Sequence, residues 1–439
     1  MRRFLRVLAL LVLCAPASAW AVPAAQKMLI DDAIGVWLIQ DDAVPVISMS
    51  LRFEGAGFAS DPKDKQGRAQ LAASLLKEGA GGMDAAAFQS YLNRNALRLS
   101  VDVGRDALVV SVSALSNKTA EAFRAIRMML SQPQLSQAAF DRVLAQQKVA
   151  LNLAKQRPGF FLGRAMGETI YGNHPYSNQS LGTEQSLEQL QLTDVQQFLS
   201  THLAKQNLQI SVAGMVRSAQ LEDAVEHNLA DLPKKPSFDN ASTEAMPPLA
   251  AQTVPVAFDT PQSQIMVVMP GVERRAEDFY AAYLLAHVMG GSGLTSYLAE
   301  ELRQKRGLTY GVFSWLDIDR EAASLRTSFA TAHETTAEAL QALNESLDTL
   351  YQNGVTQAQL DEARAYVMGA FPLSLDSSDK LAAYLQSMQY YRLGAEYLQK
   401  RNSYFEAVTL EEVNQVAKRL LDPSKRVILW AGKQEAADE

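Results

Sequence analysis

Five histidines occur, His174, His202, His227, His287 and His333, and no two lie three or four residues apart. No helix can therefore present a histidine pair to a metal. Cys14 is the sole cysteine and falls near the N-terminus, so a chain processed beyond it has no thiolate nucleophile, disulfide or cysteine metal site. No G-x-S-x-G elbow is present. The glycine clusters at Gly79–Gly82 and Gly290–Gly293 lack the Gly-Lys-Ser/Thr that completes a phosphate loop. Acid pairs such as Glu300-Glu301 and Glu411-Glu412 sit at polar helix positions and read as solvated faces. A guanidinium at Arg303 and a phenol at Tyr310, seven residues apart, remain. By residue type alone, Arg303 reads as a solvated helix residue and Tyr310 as strand core.

Their surroundings say more. Gly290-Gly291-Ser292-Gly293-Leu294-Thr295-Ser296-Tyr297-Leu298 is followed by Glu301-Leu302-Arg303-Gln304-Lys305-Arg306-Gly307-Leu308-Thr309-Tyr310. A glycine-rich turn leads into a helix, Gly307 ends the helix, and a strand follows. The run closely resembles the pitrilysin/insulin-degrading enzyme (insulysin) family of zinc metallopeptidases, whose pattern is G-x-G-(M/L)-x-S-x-L and then LR-x-K-x-x-L-x-Y. The resemblance implies that Arg303 and Tyr310 bind substrate, reaching from the second half of the molecule toward an active site in a first half. The chemistry suits them: a guanidinium holds a peptide carbonyl with fixed geometry, and a phenol donates to the oxyanion of a tetrahedral intermediate. Gly290, Gly291 and Gly293 form the family's glycine-rich turn.

The same family carries G-x-A-H-x-x-E-H on a helix of the first half, two zinc-binding histidines with a glutamate base. Here the frame stands, with Phe53–Gly57 (FEGAG), Gly67, Ala69 and Lys77–Gly79 in place. The chemical residues do not: Gln70 and Ser74 occupy the histidine positions and Ala73 that of the base. The third ligand, a glutamate before Pro158, has as counterparts Ala150, Leu151 and Asn152, and no glutamate occurs between Ala138 and Phe160. Catalytic zinc takes three protein ligands plus water. Alanine and serine do not replace imidazole, glutamine is a weak ligand, and Ala73 accepts no proton. The sequence predicts no metal and no catalytic residue in this chain alone. His174-Pro175-Tyr176, another family signature, is expected to be structural, with Pro175 fixing a turn.

In the two-chain form of the family, one subunit keeps the zinc motif and the other has lost it. The resemblance thus implies a non-catalytic subunit, similar to the inactive subunit of mitochondrial processing peptidase-like heterodimers. Its partner would be a homologous H-x-x-E-H subunit holding the zinc, and together they would enclose unfolded peptide substrates. Two rivals are a peptide-binding scaffold homodimer without hydrolysis and a zinc peptidase with substituted ligands.

Arg2, Arg3 and Arg6, the apolar run Leu8–Leu13 and Ala19-Trp20-Ala21 make residues 1–21 a signal peptide and point to the periplasm. No later stretch supplies the ~20 apolar residues of a membrane span. Removing the leader's three arginines leaves 38 basic and 48 acidic residues, a net charge of −10, which argues against nucleic acid. Residues 236–252 form a Pro/Ser/Asn-rich linker between two domains, 22–235 and 253–439. The halves repeat: Leu135–Asp141 matches Val355–Asp361 at an offset of 220, and Ala213-Gly214 matches Ala431-Gly432 at 218. β-rich runs at Val44–Phe53, Ala107–Ala114, Gln264–Met269 and Tyr310–Leu316 accompany helical patterns at Thr119–Leu130, Gln137–Lys155, Ala276–Met289 and Ala337–Tyr351. The expected fold is α+β: two homologous domains, each a largely antiparallel sheet covered by helices, one half of a metallopeptidase clam-shell.

Overall fold

The computed structural model describes residues 24–238, 245–291 and 295–434. The expected signal peptide, linker positions 239–244 and Gly293 lie outside the described residues. The first domain contributes β1 (Gln26–Ile30), β2 (Ile34–Gln40), β3 (Val46–Glu54), the short ribbon β4 (Gly79–Ala80) and β5 (Met83–Asp84), β6 (Arg98–Val103), β7 (Ala107–Leu115) and β8 (Leu208–Gly214). The second contributes β9 (Gln252–Ala257), β10 (Gln262–Pro270), β11 (Val312–Ile318), β12 (Ala323–Ala332) and β13 (Val427–Gly432). Their sheets run in the orders β1-β2-β8-β3-β7-β6 and β11-β12-β10-β13-β9. All pairs are antiparallel except β2–β8 and β13–β9. The α+β expectation holds, and, with β1 left out and the second order reversed, the two orders correspond strand for strand, making β6 and β11 corresponding edge strands.

Side-chain alternation sets the faces. In β3, Ile47, Met49, Leu51 and Phe53 are buried beneath the domain's own helices, while Ser48 and Ser50 face the other way. The duplicated segments both open helices. Ser136 Oγ accepts from Ala139 N at 3.2 Å, and Thr356 forms a reciprocal capping box with Gln359. The helices run Gln137–Ala154 and Gln357–Ala370. The helix expected from Ala276 begins at Phe279 instead. The strand expected from Tyr310 begins at Val312, because a tight turn in which Thr309 Oγ1 bonds the Gly311 backbone intervenes.

Each domain also lends a helix to the other. Ser378–Tyr390 lies across β8, β3 and β2, packing Leu381, Leu385 and Met388 on Trp37, Ile39 and Ala213. Pro158–Tyr171 lies across β13, β10 and β9, packing Leu162, Met166 and Ile170 on Val268, Val427 and Leu429. A polar seam joins the halves beside these helices. The Asp106 carboxylate accepts from Tyr176 OH at 2.7 Å, Arg320 N at 3.0 Å and Tyr390 OH at 3.2 Å. His174 Nε2 meets Glu321 Oε2 at 3.1 Å, and Arg105 pairs with Asp319. The His174-Pro175-Tyr176 run is thus a buried joint between the domains.

Candidate functional site

The stretch expected to be the zinc-motif remnant forms the helix Arg68–Leu75. Its start is tightly specified. Gly67 has φ 88°, and a Cβ there would stand 2.7 Å from Gln147 Nε2 and 2.9 Å from Leu181 O, so only glycine fits. Gln147 Nε2 donates to the Gly67 and Leu181 carbonyls at 3.0 and 3.1 Å. The buried Asp61 carboxylate accepts from Gly67 N, Ala69 N and Arg68 Nε, satisfying the helix's first donors. Burial pushes this carboxyl up to about 7, against the pull of Arg68 and the backbone donors.

The helix packs beside the edge strand β6. Gln70 and Ser74 are partly exposed, while Ala73 is fully buried in the first domain's core. On the helix Gln137–Ala154, Ala150 and Asn152 are exposed and Leu151 is buried. One amide, one hydroxyl and no carboxylate do not meet zinc's ligand requirement. Among the described residues, no group of three or more His, Cys, Asp or Glu side chains could hold a metal. Restoring half of the motif should not change this. A Gln70→His, Ser74→His variant is expected to purify without stoichiometric zinc on elemental analysis, because the third ligand is still missing.

Arg303 sits in the π-helical turn Ala299–Gln304, where Lys305 N bonds Glu300 O at 3.0 Å. Such turns re-aim the side chains they carry. Gly307, at φ 66°, closes the helix: its N–H bonds Arg303 O and Leu308 N bonds Leu302 O. Lys305 and Arg306 are both held by Glu301. Arg303 is partly exposed and enters no ion pair among the described residues. Tyr310 is 87% exposed, which rules out the strand-core reading of that residue. The glycine turn explains how this segment is seated. A Cβ on Gly290 would stand 2.5 Å from Ser314 N, and one on Gly291 would stand 2.3 Å from His287 Nδ1. Small residues let the end of helix Phe279–Gly290 rest directly on β11. No hydrogen bond or ion pair joins Gln70, Ala73 or Ser74 to Arg303 or Tyr310 among the described residues.

Sequence reasoning passed over two features. Phe313 and Trp315, on β11, are 60% and 36% exposed. Their alternation with Val312 and Ser314 was the available signal. The second is a cavity of about 410 Å³ between the domains, lined by Asp61, Arg68, Arg105, Asp106, His174 and His202 among others. His202 is stacked between Phe198 and Phe238 at 4.3 and 4.2 Å, and its Nδ1 lies 3.0 Å from Phe198 O. Burial, aided by Arg68, holds its imidazole down to about 4. The unfolded value is higher, so the fold prefers neutral His202. Its contribution is complete above pH ~6.5 and is lost as pH falls toward 4. Replacement by glutamine should remove about 2 kcal/mol of that pH dependence, read from urea midpoints between pH 7 and 4.

Comparisons with known proteins converge on one family. Residues 37–184 match the model for insulinase (peptidase family M16), and residues 189–367 match the model described as the peptidase M16 inactive domain. A non-peptidase homolog, YmxG of Helicobacter pylori, is 24% identical over 86% of this chain and 87% of its own length. The crystal structure of a peptidase M16 inactive domain from Pseudomonas fluorescens is similar at TM-score 0.88 and 25% identity, covering 94% of this chain and 99% of that one. The periplasmic protease PqqL of Escherichia coli shares the fold at TM-score 0.78 and 17% identity. The likeness covers 99% of this chain and 49% of that one. No helix among the described residues is long and apolar enough to cross a membrane.

Proposed function

The chain belongs to peptidase family M16, and from that premise we propose that it is the non-catalytic half of a two-subunit peptidase, presenting Arg303 and Tyr310 to a peptide held by a zinc-bearing partner. In this reading the partner is a homologue with an intact H-x-x-E-H motif, and it supplies the metal and the general base. This chain supplies a phenol for the developing oxyanion, a guanidinium for a substrate carbonyl, and half of a chamber for unfolded peptides. The observation that carries the reading is the contrast between its two motifs. Gln70, Ala73 and Ser74 lack the donors zinc needs, whereas Tyr310 stands exposed and Arg303 enters no ion pair among the described residues.

The likeness to PqqL supports the architecture, since this chain's fold accounts for about half of a chain roughly twice as long. We take residues 1–21 as a periplasmic signal peptide, 22–235 and 253–439 as the two domains, and 236–252 as their linker. The test is co-expression with a zinc-bearing family member from the same genome. A 1:1 complex that cuts unfolded peptides, with zinc confined to the partner, supports the assignment. Stoichiometric zinc and hydrolysis in this chain by itself would end it.

A further inference from the structure

A second cavity between the domains, of about 270 Å³, shares Arg105 and Asp106 with the larger one. The first domain lines it with Arg52 of β3 and with Arg105 and Asp106 of the β6–β7 turn. The second domain adds Asp319, just after β11, and Gln386 and Tyr390 of the exchanged helix Ser378–Tyr390. Gln386 and Tyr390 are one helical turn apart and so share a face.

Three buried N–H donors on these residues have no acceptor: Arg52 Nε, Arg105 Nε and Gln386 Nε2. A buried donor left unpaired is costly, and more so on a charged group. Gln386 is only 8% exposed, and its side chain makes no hydrogen bond among the described residues. Arg52 likewise has no hydrogen bond and no ion pair there; its guanidinium lies 4.0 Å over the Tyr390 ring. The carboxylates on the cavity wall are committed elsewhere. Asp319 pairs with Arg105 through Nη1 and leaves Nε without a partner. Asp106 accepts from Tyr176 OH, Arg320 N and Tyr390 OH. All three orphans donate, and two belong to cations. An apolar ligand would leave them unpaired, and a cation would be repelled. An oxyanion supplies both the lone pairs and the charge, in the form a guanidinium binds best.

We propose that this cavity is a binding site for a small oxyanion, a phosphate or carboxylate group, held by Arg52, Arg105 and Gln386. Two of the donors belong to the first domain and one to the helix lent by the second, so the bound group ties the domains together. A ligand that needs both domains in place stabilises the folded chain by mass action. Neither Arg303 nor Tyr310 lines the cavity, so the site stands independently of the trans-acting role.

The test uses the full chain, with inorganic phosphate as the first probe. Melting temperature is read by scanning fluorimetry in phosphate and in chloride at matched pH and ionic strength, and affinity by isothermal titration calorimetry. Above its Kd, each tenfold rise in phosphate should raise the melting temperature by about 1–3 °C, and chloride should not. Acetyl-trialanine with a free C-terminal carboxylate, beside its C-terminal amide, separates the two sources. Tighter binding of the acid than of phosphate, with none of the amide, identifies a peptide terminus; binding of phosphate alone identifies a phosphoryl group. Arg52→Met keeps an unbranched chain over Tyr390 and should weaken the preferred anion at least about tenfold. Gln386→Glu places a carboxylate among the orphaned donors. It should melt higher than wild type without ligand and no longer respond to phosphate. Stabilisation by phosphate and by the acid peptide no greater than by chloride overturns the proposal, as does unchanged affinity in Arg52→Met. A Gln386→Glu protein that melts lower and still responds to phosphate overturns it too.

Discussion

Tyr310→Phe in the complex with a zinc-bearing partner is expected to lower kcat for peptide hydrolysis about 10²–10³-fold, the usual cost of losing one oxyanion donor. The variant removes one oxygen from a side chain that is 87% exposed, so the fold and the assembly should survive intact. Arg303→Ala should act differently. A guanidinium that positions the substrate contributes to ground-state and transition-state binding alike, so its loss raises KM more than it lowers kcat. Lysine is not expected to rescue, because a point charge does not reproduce the planar fork. Steady-state kinetics on a peptide substrate, with the 1:1 complex confirmed by light scattering, separates these outcomes. Unchanged kinetics in both variants would remove any role for this chain at the partner's centre.

Leu385→Asp should be the most damaging single change in the second domain's exchanged helix. Leu385 is fully buried between the Ser378–Tyr390 helix and the first domain's sheet, against Trp37 and Ile39. A carboxylate there has no donor and no water, which costs more than about 4 kcal/mol. Leu385→Ala, a cavity rather than a charge, should cost about 2–5 kcal/mol. Differential scanning calorimetry provides the decisive readout. Because the helix belongs to one domain and its apolar bed to the other, Leu385→Ala should lower a single cooperative transition. Two transitions, of which only one moves, would show that the exchanged helices do not couple the domains.

The general fold was legible because its causes are local. Ile47, Met49, Leu51 and Phe53 alternate with Ser48, Ser50 and Arg52, which announces a strand with one core face. Ser136 and Thr356 announce helix starts. The helix exchange was hidden for a physical reason. The apolar stripe of Ser378–Tyr390 says that the helix covers something, and nothing in its period says which sheet. Edge position is equally silent in a sequence. Phe313 and Trp315 have the composition of buried strand residues, and only the strand order β11-β12-β10-β13-β9 puts them at a rim. The same limit explains Tyr310, whose residue type suggests core and whose place before the strand exposes it. The losses expected at Gln70, Ala73 and Ser74 are read from the sequence frame that persists around them. The carboxylate–guanidinium clamp of Asp61 and Arg68 that holds this helix was not legible, since its partners are joined by tertiary approach.

The exchange of helices also bears on how the molecule is made. A ribosome releases the first sheet by residue 214, yet the helix that roofs Trp37, Ile39 and Ala213 is not complete until residue 390. Throughout that interval the growing chain carries a bare apolar bed with no native cover. Early termination anywhere between these points should yield a sticky fragment rather than a smaller working domain, and translation must run nearly to its end before the first half can close.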